Sequence, residues 1–180
     1  SGSMQSIWSK VVGKVADVLR NYPGLSGFQV LSDQGQFLYK DTQGWMTAAD
    51  SEIEATIRKL DSWKPYSNSS PVEGIKVAVE KLYTPGLKMA LFVAGDDYTG
   101  ERTDSFLDEV ARIKDRTGDA SQLRIHALGF HNDLHSQYPE RFARLMQILT
   151  FNNGGSFLFF GNEVADKLVI NRGRKTPNKD

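Results

Sequence analysis

Residues 88–97 read Lys-Met-Ala-Leu-Phe-Val-Ala-Gly-Asp-Asp. Residues 88–94 form a mostly apolar run, the pattern of a parallel strand buried on both faces. The run is far shorter than the ~20 residues a membrane helix needs. It closes on Gly95, Asp96 and Asp97, so two carboxylates follow a strand end, where open α/β sheets gather their ligands. Toward the C-terminus the same grammar repeats. Phe106, Val110 and Ile113 mark a helix, 123–130 a second apolar strand, and Phe142, Leu145, Met146 and Leu149 another helix. Asn152-Asn153-Gly154-Gly155 stops that helix, and 156–160 forms a last strand.

The N-terminal half is more varied. Ile7, Val11, Val15, Val18 and Tyr22 lie on one face of an amphipathic helix that Pro23-Gly24 ends. Strands at 28–31 and 36–39 flank Asp33-Gln34-Gly35, which predicts a hairpin. Ser51-x-x-Glu54 and Ser70-Pro71-Val72-Glu73 are capping boxes, opening helices that carry Ile53, Ile57 and Leu60, then Ile75, Val79 and Leu82. Strand–helix alternation of this kind predicts an α/β fold: a three-layer, doubly wound, mostly parallel sheet with one antiparallel edge hairpin. Residues 1–171 form the expected domain and 172–180 a polar, basic tail.

Composition narrows the function classes. The 180 residues are 39% apolar, enough for one core. Lys plus Arg and Asp plus Glu both number 22, so no net field favours nucleic acid or a membrane surface, and no membrane segment is expected. No cysteine is present, which removes thiolate chemistry. Neither a Gly-rich phosphate loop nor a G-x-S-x-G nucleophile motif occurs.

The candidate chemistry is that of hard oxygen donors. Asp96 stands directly after a strand, and Ser69 and Ser70 directly before a helix. Carboxylate and hydroxyl oxygens suit Mg²⁺, Ca²⁺ or Mn²⁺. Each residue has a plainer role as well: Asp96 as a solvated loop carboxylate, Ser70 as a helix cap, Asp97 as a turn former. His126, His131 and His135 lack a third convergent ligand at zinc spacing, so no zinc site is expected. Trp45, Trp63 and Tyr66 read as loop-packing aromatics, with a partner-binding patch as the alternative.

Taken in order, these segments resemble the von Willebrand factor type A (VWA) family over nearly the whole chain. The strand ending at Asp96 resembles the one that delivers that family's second metal-site aspartate. Leu123-Arg124-Ile125-His126-Ala127-Leu128-Gly129-Phe130 resembles its later apolar strand, and Asn152-Asn153-Gly154-Gly155 its turn before the last strand. Ser1-Gly2-Ser3-Met4 resembles the tail of its Asp-x-Ser-Gly-Ser-Met motif, with a vector remnant as the competing explanation. The resemblance implies a non-enzymatic adhesion module. Its metal ligands would be Asp96, Ser70 or Ser69, Ser1 and Ser3, and a partner protein would supply a carboxylate to the ion.

Two departures stand out. Ser70 replaces the family's Thr, and the sequence begins at the far end of the first motif, without its Asp or the strand before it. The expected consequence is an empty central slot in the sheet, open to strand exchange or dimerisation. Residues 167–171 (Lys-Leu-Val-Ile-Asn) are one candidate to fill it. The alternatives are a metal-free interaction domain of the same fold, and a Mg²⁺-dependent phosphoryl-transfer enzyme using Asp96 and Asp97.

Overall fold

The computed structural model describes residues 3–64, 67, 69–100, 102–132 and 139–161. Ser1, Tyr66, His135, residues 167–171 and the 172–180 tail lie outside this set. The fold is mixed α/β. Along the chain run a 3₁₀ turn (Ser3–Ile7), α1 (Trp8–Asn21), β1 (Gly27–Phe28), β2 (Met46–Thr47), α2 (Asp50–Asp61) and α3 (Val72–Leu82). They are followed by β3 (Met89–Gly95), α4 (Thr103–Asp115), β4 (Leu123–Phe130), α5 (Pro139–Asn152) and β5 (Phe157–Phe160).

The second half follows the sequence closely. β3, β4 and β5 form a parallel sheet in that order, with Met89 opposite Leu123, Gly95 opposite Gly129, and Phe130 opposite Phe160. Side chains alternate between two packing clusters, as a pleated strand requires. Met89, Val93, Leu123, Ile125, Ala127 and Phe157 join a core with residues of α3, α4 and α5. Phe92, Leu128, Phe130, Leu158 and Phe160 join Met4, Val11, Val15 and Val18 of the N-terminal turn and α1. The predicted helix stripes Phe106–Val110–Ile113 and Phe142–Leu145–Met146–Leu149 are all buried.

Two glycines set the spacing at the carboxyl ends of the strands. A Cβ on Gly95 would lie 2.8 Å from the Phe142 ring, and one on Gly129 would lie 2.7–2.9 Å from the rings of Phe159 and Phe157. The turn after α5 is pinned from three sides. Asn153 accepts from Lys114 of α4 (2.8 Å), donates to the Leu149 carbonyl (2.7 Å), and offers its own carbonyl to the Ile125 amide of β4 (3.4 Å). Gly154 takes a left-handed φ of 64° there, the conformation its Asn-Gly context predicts.

The first half departs from expectation in three places. The hairpin of 28–31 with 36–39 shrinks to a single bridge between Leu31 and Phe37. Instead β1 pairs antiparallel with β2, as a two-stranded ladder separate from the parallel sheet. The intervening loop folds onto itself: Ser32 Oγ accepts from the amides of Gln34 and Gln36, and Gln29 donates to the carbonyls of Thr42 and Gly44. These local bonds compete with a longer ladder.

Neither predicted capping box forms as written. α2 begins two residues early with Ala49 at its cap in place of Ser51, and α3 one residue late with Pro71 there in place of Ser70; neither cap residue makes a side-chain bond. Acidic residues in both first turns complement the helix dipole instead. The buried face of α1 is wider than the expected stripe. Val11 of that stripe is buried and packs with Ile7, Val15 and Val18, but Val12 and Ala16 are buried as well, Val12 in a cluster with Leu38 and Leu60, while Val15 and Val18 stay half-buried and Tyr22 exposed. A bond from Trp8 Nε1 to the Leu60 carbonyl (3.0 Å) fastens α1 to the end of α2.

Candidate functional site

Three loops converge on one mouth of the molecule, each positioned by an element behind it. β3 delivers Asp96 and Asp97, which are only 2% and 7% exposed despite standing in a loop. Asp97 Oδ1 accepts the amide of the next residue, Tyr98 (2.8 Å). Tyr98 is buried edge-on against Phe106 of α4, and the Arg141 guanidinium lies over the Tyr98 ring while donating to the Gly100 carbonyl (2.6 Å). That packing leaves Gly100 no room for a side chain: a Cβ would sit 2.3 Å from the tyrosine oxygen.

The second loop precedes α3. Ser69 holds a left-handed φ of 57°, uncommon for a residue with a Cβ and costing about 1 kcal/mol or more. Its neighbours fix it in that shape. The Ser69 amide donates to Ser67 Oγ (3.2 Å), and the Ser69 carbonyl receives the Thr99 amide from the Asp96 loop (3.4 Å). Ser67 Oγ donates in turn to Asp33 Oδ2 (2.7 Å), which brings in the third loop. That loop rests on α3, where Gly74 donates to the Asp33 carbonyl (2.8 Å) and a Cβ would collide with the Ser32 carbonyl at 2.6 Å.

Asp96, Asp97, Asp33, Ser67, Ser69 and Ser70 all line the same cavity, a trough of about 780 Å³ that continues along the whole of β3. Asp96, Ser69 and Ser70, expected to act together, thus all line this trough. Ser3 opens the 3₁₀ turn, and Met4 beside it lines the trough as well. Ser1 lies outside the described residues. Asp33 was not a sequence candidate. Its only local signal was the Asp-Gln-Gly turn, whereas its contact with Ser67 spans 34 residues.

Neither a protein-family model nor a curated protein matches this chain.

The donor set at the mouth is carboxylate and hydroxyl oxygen, which is chemically apt for a hard divalent cation. Among the described residues, however, no three His, Cys, Asp or Glu side chains gather closely enough to hold a metal. Whatever ion bound here would depend on hydroxyls, water or a further carboxylate to complete its shell.

The other sequence candidates are dispersed. His126 lies in β4, stacked on Phe92 with ring centroids 4.8 Å apart; its Nδ1 accepts the Ser156 amide (3.1 Å) and its Nε2 is buried without a partner. Burial, and secondarily the charge of Arg124, lowers its pKa below the ordinary 6.5. His131 follows β4 and lies near Phe159. Trp45 is partly exposed and donates to the Leu82 carbonyl (3.0 Å), while Trp63 packs beside Leu60. Among the described residues, no helix is long and apolar enough to cross a membrane.

Proposed function

We propose that this chain is a VWA-type interaction module on a doubly wound, three-layer sheet, and not an enzyme. Asp96, with Ser70 or Ser69, holds Mg²⁺ (or Ca²⁺ or Mn²⁺) at the mouth, and a carboxylate from a partner protein enters the remaining coordination. The observation that carries this reading is Asp96 itself. It is a carboxylate almost wholly removed from bulk water at the end of a parallel strand, lining one cavity with the strained Ser69 and with Ser70. A cation with few anionic ligands stays electrophilic enough to attract another carboxylate.

Titration calorimetry with Mn²⁺ and Mg²⁺ tests the reading. Binding to the wild type that is lost in Asp96→Ala and retained in Asp108→Ala, an exposed α4 control, is the expected result. Absence of binding to the wild type removes the metal from this chain.

A metal-free interaction domain of the same fold is the second reading. It is favoured by the lack of a third acidic ligand among the described residues. Partner capture unaffected by EDTA would select it.

A further inference from the structure

Away from the mouth, the turn between α5 and β5 reads Asn152-Asn153-Gly154-Gly155. In an Asn-Gly pair no side chain on the second residue obstructs its backbone nitrogen, which can attack the amide carbon of the asparagine before it. Gly154 is exposed, with open space where a Cβ would stand, and its amide makes only a long bond to the Phe151 carbonyl (3.4 Å). The nucleophile is therefore available, and any restraint on the reaction must lie with the electrophile.

Asn153 is half-buried and held at both ends of its side-chain amide. Oδ1 accepts from Lys114 Nζ (2.8 Å), and Nδ2 donates to the Leu149 carbonyl (2.7 Å). These partners draw the amide back over the last turn of α5 and toward α4. Attack by Gly154 needs the side chain to swing off both. The bond from the charged ammonium is the stronger restraint. Beside it, Lys114 and Asn153 border a cavity of about 170 Å³ between α4 and α5, which has room for the water the chemistry consumes.

We propose that Asn153-Gly154 is a latent self-modification site, which deamidates through a cyclic imide and which Lys114 holds unreactive while the turn is closed. In the first step the Gly154 nitrogen gives up its proton and bonds to Cγ of Asn153. The Cγ–Nδ2 bond breaks, and Nδ2 leaves as ammonia with that proton. Water then opens the imide at either carbonyl. Cutting the new bond leaves aspartate; cutting the original peptide bond leaves isoaspartate, with the chain running through Cγ. The sum is asparagine plus water giving a carboxylate and ammonium, with no change of oxidation state.

Isoaspartate lengthens the backbone by one methylene where the fold has no slack. A Cβ on Gly155 would already run into the Ile125 carbonyl, the Gly155 amide is tied to the Thr150 carbonyl (2.9 Å), and the Ser156 carbonyl to the Ala127 amide (3.0 Å). The modified chain cannot rebuild this turn and seat β5 against β4 in the same register. One opening of the turn is thereby recorded permanently in the covalent structure, independently of any metal at the mouth.

Peptide mapping by mass spectrometry tests the proposal on residues 1–180 held at neutral pH, with isoaspartate counted by enzymatic methylation. Deamidation at Asn153 should be slower in the folded protein than in the urea-unfolded chain by about 100-fold or more. Lys114→Met keeps an aliphatic stem at the cavity and removes the donor; it should speed the reaction in the folded protein about tenfold. Lys81→Met, at an exposed position of α3, should leave the rate unchanged. Amide exchange at Val110, in the buried stripe of α4, separates release of the clamp from general loosening. Four results overturn the proposal: no deamidation at Asn153 in the unfolded chain; equal rates folded and unfolded; a rate in Lys114→Met that is unchanged, or slower, which would make Lys114 an activator; or a faster rate matched by an equal gain in Val110 exchange.

Discussion

β3 and β4 are neighbouring parallel strands of similar apolar character, yet the molecule treats them differently. β4 is flanked by strands on both edges, and Ile125, Ala127 and Phe130 retain no accessible surface. Among the described residues β3 has one neighbour, and it is fully covered only at Met89 and Val93. Composition prepares a strand for burial; the neighbours on its two edges decide whether burial happens. The difference also locates the weakness of the structure, because the half-covered strand is the one that carries Asp96.

Substituting the same residue type on each strand gives the sharpest test. Phe130→Ala should cost about 3–5 kcal/mol in urea or guanidinium unfolding, since the ring is enclosed and stacked against Phe160. Phe92→Ala should cost about half as much or less, because that ring already borders the trough. Equal losses would erase the distinction between the strands. Added bulk should report the same asymmetry at smaller scale. Gly129→Ala presses on Phe157 and Phe159 and should destabilise by about 1–3 kcal/mol, whereas Ala94→Leu, an exposed position, should be within about 0.5 kcal/mol of wild type.

The smallest effect is one of pH. His126 bridges the two strands by stacking on Phe92, and the fold holds it below its ordinary pKa. The unfolded chain takes up the proton first, so stability is full above about pH 6.5 and declines as pH falls below it, toward the lower folded pKa. Unfolding midpoints measured from pH 7.5 to 5 should show this decline, and His126→Gln should flatten it. An identical slope in the variant would assign the decline to other groups.

Much of the second half was legible in the sequence. A strand buried on both faces must be apolar throughout, and a helix that covers it must carry a stripe, so the strands at 88–94 and 123–130 and the two stripes declared themselves, the first displaced by one residue in the fold. The first half was harder, because its structure rests on contacts that no local pattern encodes. Phe28 pairs with Met46 across a loop, and Trp8 reaches Leu60 across two elements. The α1 stripe was visible, but not that part of it would border a trough.

The site was legible in the same uneven way. Asp96 could be found because a carboxylate after a buried strand is a local signal. Asp33 could not, since its place at the mouth comes from a hydroxyl 34 residues away. Ser70 looked like a cap, and the helix begins one residue too late for that role.

The order β3-β4-β5 is also the order of synthesis, and that has a consequence for the nascent chain. Some 65 residues separate the end of β3 from the end of β5, which a ribosome adds in about 3–13 s. Throughout that interval β3 emerges with no β5 in place, and for the first part of it with no β4. The turn at Asn153, which ties α4, β4 and α5 together, is made only after all three of them. Until β4 arrives, β3 is an apolar ribbon with two bare edges, open to whatever binds extended hydrophobic chain in the cell.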